Sequence, residues 1–148
     1  MIATNHALTG AAIATVVKQP LLAVPLAFAS HFLCDAIPHF GIDLKFKSRA
    51  MYTWLILDGL AALSIAGFLL ANNVANPVLL AVCGFVAMSP DLAWLYYGVK
   101  KQLGKFEKYD LVTRLHHNIQ WYQKLPGIVV ELGWMVLMVM FILMNQVV

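Results

Sequence analysis

Two stretches of this chain, Met51 to Ala71 and Leu125 to Met144, each carry a single charged residue, Asp58 in the first and Glu131 in the second. A helix needs roughly 20 apolar residues to cross a hydrocarbon layer of about 30 Å, so both runs have the length of a membrane span. Composition points the same way. Hydrophobic residues make up 61% of the 148 and charged residues 11%, whereas a soluble domain carries about 25% charged residues. So few charges cannot cover a water-facing surface. The sequence predicts an all-α integral membrane helical bundle, one domain over 1–148, with about five helical runs and an interfacial helix before the last.

The other runs follow from the breaks. The first extends from Ala3 to Val17 and is ended by Lys18-Gln19-Pro20; the second extends from Leu21 to Ile37. Together they predict a hairpin of two short helices that need not both span. A polar loop, Phe40 to Ala50, leads to the Met51–Ala71 run. The fourth run, Pro77 to Val99, is interrupted at Ser89-Pro90-Asp91. A basic connector, Lys100 to Gln123, contains an amphipathic stretch from Leu111 to Trp121, with Trp121 and Tyr122 expected at headgroup depth. No basic region precedes the first run, so a cleavable signal peptide is not expected. Cys34 and Cys83 lie in apolar stretches and read as small buried hydrophobes.

The formal charge of +3 comes from ten Lys and Arg that cluster in loops. It therefore reports orientation, and no nucleic-acid partner is expected. Lys45, Lys47 and Arg49 lie in one loop, and Lys100, Lys101, Lys105, Lys108 and Arg114 in the connector, with Lys124 directly after it. The positive-inside rule places both loops in the cytoplasm and the C-terminus outside, with Lys18 alone on the outer side. The expected location is a bacterial inner membrane.

The polar residues then fall in one layer. In Ser30-His31-Phe32-Leu33-Cys34-Asp35, His31 and Asp35 are four apart and share a helix face, so they could hold one ion together. Pro38 marks the end of that helix, leaving His39 free to turn back toward Asp35. His6, Asp58, Asp91, His116, His117 and Glu131 fall at the same cytoplasmic level. At 1.5 Å per residue most lie within about 10 Å of one membrane face. An isolated carboxylate in hydrocarbon costs about 2.5–3.5 kcal/mol on insertion scales, so four are tolerable only if they face one another, histidines or a cation. His and carboxylate donors suit Zn²⁺, and Mn²⁺ or iron are compatible. The expected metal ligands are His6, His31, Asp35, Asp91, His116 and His117. His39, Asp58 and Glu131 are the expected general base or orienting groups. Alternatives stay open. His6 could be a helix-start hydrogen-bonder, and Asp58 and Glu131 could bond neighbouring helices. His116 and His117 point about 100° apart on a helix, which suits only one of them to the site. Gly10 is expected to let two helices approach closely, and Ser89-Pro90-Asp91 to break its helix and free backbone carbonyls toward the site.

At these residues the chain resembles the small membrane-bound metal-dependent hydrolases of the YdjM-like group. The shared elements are His6 with Gly10, Ser30-His31 with Asp35 and Pro38-His39, Pro90-Asp91, and His116. A looser likeness runs to zinc-dependent phospholipase C proteins. In the YdjM-like pattern the His-x-x-x-Asp element comes last, whereas here it comes first, and Arg114-Leu115-His116-His117-Asn118 stands for His-Arg-x-x-Thr-His. The resemblance implies a divalent-metal hydrolase acting on a lipid or another phosphoester. The expected partners are membrane lipids, a lipid or membrane-anchored substrate, and a second copy in a homo-oligomer. A cation or proton transporter, or a structural protein with a polar packing cluster, are the competing readings. No His-Glu-x-x-His, Gly-x-Ser-x-Gly, Walker or dinucleotide glycine motif occurs.

Overall fold

The computed structural model describes residues 1–41 and 45–145. Residues 42–44 of the expected polar loop and 146–148 of the C-terminal tail lie outside the described residues. The described chain is all-α: α1 (Ala3–Val16), α2 (Pro20–Asp35), α3 (Arg49–Ala71), α4 (Pro77–Met88), α5 (Leu92–Gln102), α6 (Leu111–Ile119) and α7 (Ile128–Met144). A 3₁₀ turn, Ser89–Asp91, joins α4 to α5 end to end, and another, Leu125–Gly127, leads into α7.

Local chemistry sets most of these boundaries. Pro20 opens α2 in its first turn, where the missing N–H costs nothing. The Ser48 side chain accepts from Met51 N–H at 3.1 Å to start α3. Asn76 caps α4 by accepting from Leu79 N–H at 3.3 Å, with Pro77 following it. Asp110 caps α6 by accepting from Thr113 N–H at 3.0 Å. The Tyr97 hydroxyl also donates to Asp110 at 2.7 Å. These bonds favour the ionised carboxylate and hold its pKa well below the usual range. The helix after Asp91 continues past the apolar run to Gln102, because Lys100 and Lys101 are good helix formers near a helix C-terminus.

Among the described residues, three helical segments are long and apolar enough to cross a membrane: Arg49–Ala71, Pro77–Gln102 and Leu125–Met144. The hairpin helices are shorter. At 14 and 16 residues, α1 and α2 reach about 21 and 24 Å, less than a hydrocarbon layer. Helix α1 is central. It packs on α2, α3, α4 and α7, and ten of its residues are buried although it is the least amphipathic of shapes. Helix α3 lies outside, with only Met51 and Leu69 buried, and Ile56, Leu60, Leu63 and Phe68 are exposed. A helix apolar on all sides with its outer face open is matched by hydrocarbon rather than water.

The α1–α4 contact is tight because small residues line it. A Cβ on Gly10 would lie 2.2 Å from the Cys83 carbonyl oxygen and 2.7 Å from Ala87 Cβ. Backbone is on the receiving side, so no side chain can swing away. Gly10→Ala should therefore destabilise the bundle by about 1–3 kcal/mol through overpacking. Gly59, with nothing within 4 Å of its Cβ position, is the control. Gly59→Ala should be neutral or stabilising by up to about 1 kcal/mol. Thermal unfolding of both variants in detergent checks the pair.

Candidate metal centre

The first turn of α1, the last turn of α2 and the α4–α5 junction meet at one end of the bundle. Each delivers a ligand-type side chain for a local reason. Helix α2 runs through His31 and Asp35 and stops at Asp35, just before Pro38. The Ser89–Asp91 turn breaks the fourth run and puts Asp91 beside them. It also leaves the Ala87 carbonyl to accept from His31 Nδ1 at 2.8 Å. A carbonyl only accepts, so Nδ1 of His31 carries the hydrogen and Nε2 faces inward with a lone pair.

Helix α1 has no side-chain cap of its own. Two carboxylates from other helices do that work. Asp58 on α3 accepts from Ala3 N–H at 2.9 Å and Thr4 N–H at 3.1 Å, and from the Thr4 hydroxyl. Glu131 on α7 accepts from Ile2 N–H at 3.2 Å and from the Asn5 side-chain amide at 2.5 Å. Both carboxyl groups thus lie on the amide end of α1, where the helix dipole favours negative charge. They fix the depth of the turn that carries His6.

His6, His31, Asp35 and Asp91 each offer a ligand atom, and those atoms all lie within 4.8 Å of one another. His6, His31 and Asp35 are essentially fully buried, and Asp91 is partly open. His6 Nε2 is 3.1 Å from Asp35 Oδ1, and His31 Nε2 is 3.3 Å from Asp35 Oδ2. His116 joins them from α6. Its Nε2 is 2.7 Å from Asp35 Oδ2 and 3.0 Å from His31 Nε2. Two donors on one ion, each about 2.0–2.2 Å from it, are separated by about 3.3–3.6 Å at tetrahedral angles and about 2.8–3.1 Å at right angles. The closest spacings therefore resemble the edges of a coordination polyhedron. His6 supplies a second test of fit. Among the described residues neither of its buried ring nitrogens makes a well-formed hydrogen bond, Nε2 having only the 3.1 Å approach to Asp35, and an unpaired buried polar group is costly. A cation in reach of Nε2 removes part of that cost. The group can hold a metal ion.

The other sequence-derived candidates are placed as follows. His39 is buried in the loop after α2. Its Nδ1 donates to Ile37 O at 2.8 Å, and its Nε2 lies 3.9 Å from Asp35 Oδ1 and accepts from Gln123 at 3.2 Å. Burial lowers the pKa of this imidazole below its ordinary value. The loop is held in place by backbone bonds from His39 N–H to Tyr122 O and from Lys124 N–H to His39 O, each 3.2 Å. Asp58 and Glu131 are engaged by α1, as described. His117 is exposed on α6, while His116, one residue earlier, is buried. Gln120 was not among the candidates. Its Nε2 donates to Asp35 Oδ2 and lies near His116 Nε2, both at 2.8 Å. Only its position one turn after His116 hints at this role. The Met1 ammonium also donates to Asp35 Oδ1. Beside His116 opens a pocket of about 180 Å³ bordered by Ser89, Asp110 and Thr113.

No known protein family, no curated protein and no solved structure matches the chain. The expected resemblance to membrane-bound metal-dependent hydrolases finds no support in these comparisons.

Proposed function

We propose that the protein is an integral membrane hydrolase that uses a divalent metal, zinc by donor type, at the cytoplasmic end of its bundle. The substrate we assign is a lipid-tailed or membrane-anchored phosphoester. The observation that carries the reading is the buried convergence of His6, His31, Asp35 and Asp91, closed by His116. A bound ion supplies Lewis acidity and lowers the pKa of its water. The chain supplies the rest. His31 is oriented by Ala87 O, the arrangement that fixes ring direction in metal-binding histidines. Asp58 and Glu131 act as positioning residues through α1. His39 accepts a proton at Nε2, since its Nδ1 hydrogen is committed to Ile37 O.

Two features support a lipid-tailed substrate. The basic loops, read by the positive-inside rule, put this end at the cytoplasmic surface. An apolar cavity of about 350 Å³ runs between α1, α3 and α4, lined by Leu8, Ala11, Ile65, Leu69, Leu80 and Phe85 and reaching Thr4 and Met88 at the site end. That volume is within the range of ligand pockets and suits an acyl chain. The test is hydrolysis of lipid phosphoesters by the purified protein in mixed micelles. Turnover should vanish on chelation and return with Zn²⁺, and His39→Ala should lower kcat by about 10²–10⁴-fold. No turnover by zinc-loaded protein, with Zn²⁺ flux in liposomes instead, would move the reading to transport.

A further inference from the structure

The two carboxylates in the cluster each split their oxygens between two sets of imidazoles. Asp35 Oδ1 faces His6 Nε2 at 3.1 Å and His39 Nε2 at 3.9 Å. Asp35 Oδ2 faces His31 Nε2 at 3.3 Å and His116 Nε2 at 2.7 Å. Asp91 repeats the division. Its Oδ2 is 3.9 Å from His6 Nε2, while its Oδ1 is 3.8 Å from both His31 Nε2 and His116 Nε2.

The rings add a second constraint. His6 and His31 are stacked, with centroids 4.0 Å apart and planes 24° from parallel. An imidazole nitrogen binds a metal along its lone pair, in the plane of the ring. Near-parallel stacked rings direct those lone pairs side by side instead of to one point. A single ion would lie well out of plane for at least one of them. Two ions satisfy both rings, and the stacking distance matches the spacing of about 3.5–4 Å found in two-metal hydrolytic sites.

We propose that the cluster holds two divalent cations bridged by Asp35 and Asp91, one on the His6 side and one between His31 and His116. This rests on the metal reading above and assigns its stoichiometry. His39 Nε2 lies on the Oδ1 side of Asp35, 3.9 Å from that oxygen, and Gln120 donates to Oδ2 on the other side. Two ions sharing a carboxylate pair suit phosphoester cleavage, where attacking and leaving oxygens both gain charge.

The full chain, purified in detergent, is stripped with a chelator, reloaded with Zn²⁺ or Mn²⁺ and freed of excess metal. Elemental analysis of the zinc form should give two ions per chain, and low-temperature electron paramagnetic resonance of the manganese form should show an exchange-coupled pair. His6→Ala should retain one ion per chain and revert to an isolated-ion manganese spectrum. One ion in the wild type overturns the bridged pair and leaves the single-metal reading standing. Two ions without exchange coupling overturn the bridging. No ion in wild-type protein overturns this proposal and the metal-dependent function together. The wild-type measurements need no variant, so a failure of His6→Ala to fold does not remove the test.

Discussion

Asp35→Ala should leave the protein without bound metal, the largest effect of any single substitution in the cluster. Among the described residues, Asp35 is the one side chain whose oxygens face His6, His31, His39 and His116. Removing it leaves the imidazoles with one carboxylate among the described residues, Asp91, 3.8–3.9 Å from His6, His31 and His116. Gln120→Ala provides the scale. It removes a group that steadies Asp35 without being a ligand, a change that typically costs about 10–100-fold in metal affinity. Asp35→Ala and His31→Ala each remove a proposed ligand and should both exceed that range, Asp35→Ala by more. Because Asp35 also receives the Met1 ammonium and Gln120, the variant leaves buried donors unpaired. Metal content should therefore be read on the monodisperse fraction from size exclusion, by competition with a chelator of known affinity. Metal retained at wild-type stoichiometry in Asp35→Ala would remove this residue from the site.

Glu131→Ala should be the most destabilising change outside the cluster. Glu131 is fully buried, and its oxygens accept from the Ile2 amide and the Asn5 side chain. Each buried donor left without an acceptor costs about 1–3 kcal/mol, so about 2–6 kcal/mol is at stake. The loss of negative charge at the amide end of α1 adds to it. Glu131→Gln keeps an acceptor oxygen and should recover part of the loss. Asp58→Ala should cost less, since Asp58 is only half-buried. Unfolding midpoints in detergent rank the three. The account also expects weaker metal binding in Glu131→Ala, because the freed turn carries His6. Unchanged stability together with unchanged metal affinity would show that α1 does not depend on this carboxylate.

Much of the fold could be read from apolar runs and their breaks. The helices begin and end within a few residues of Pro20, Asn76-Pro77 and the Lys18 and Asn72 interruptions, because proline, cap residues and charge act locally. The cluster was legible where its residues share an element. His31 and Asp35 are adjacent turns of one helix, and Pro90-Asp91 announces a broken helix. What was not legible depends on distance across the bundle. Asp58 and Glu131 look like catalytic carboxylates in a linear reading. Their engagement by α1 follows from the depth at which α1 sits against α3 and α7. Gln120 and the Ala87 carbonyl hold the inner imidazoles and Asp35 in place, yet amides and carbonyls carry no ligand signature in sequence. The rule that adjacent helical residues diverge by about 100° anticipated one buried histidine in the His116-His117 pair but not which one. The packing of α6 on α2 decides it.

The central claim is that this cluster binds metal through imidazole and carboxylate, and X-ray absorption at the metal edge tests it most directly. Detergent-purified protein reloaded with Zn²⁺ should show nitrogen and oxygen scatterers at about 2.0–2.2 Å with an imidazole signature. His31→Ala should lose part of that imidazole contribution. A zinc edge no stronger than buffer, or a shell of solvent oxygen unchanged by His31→Ala, would contradict the account.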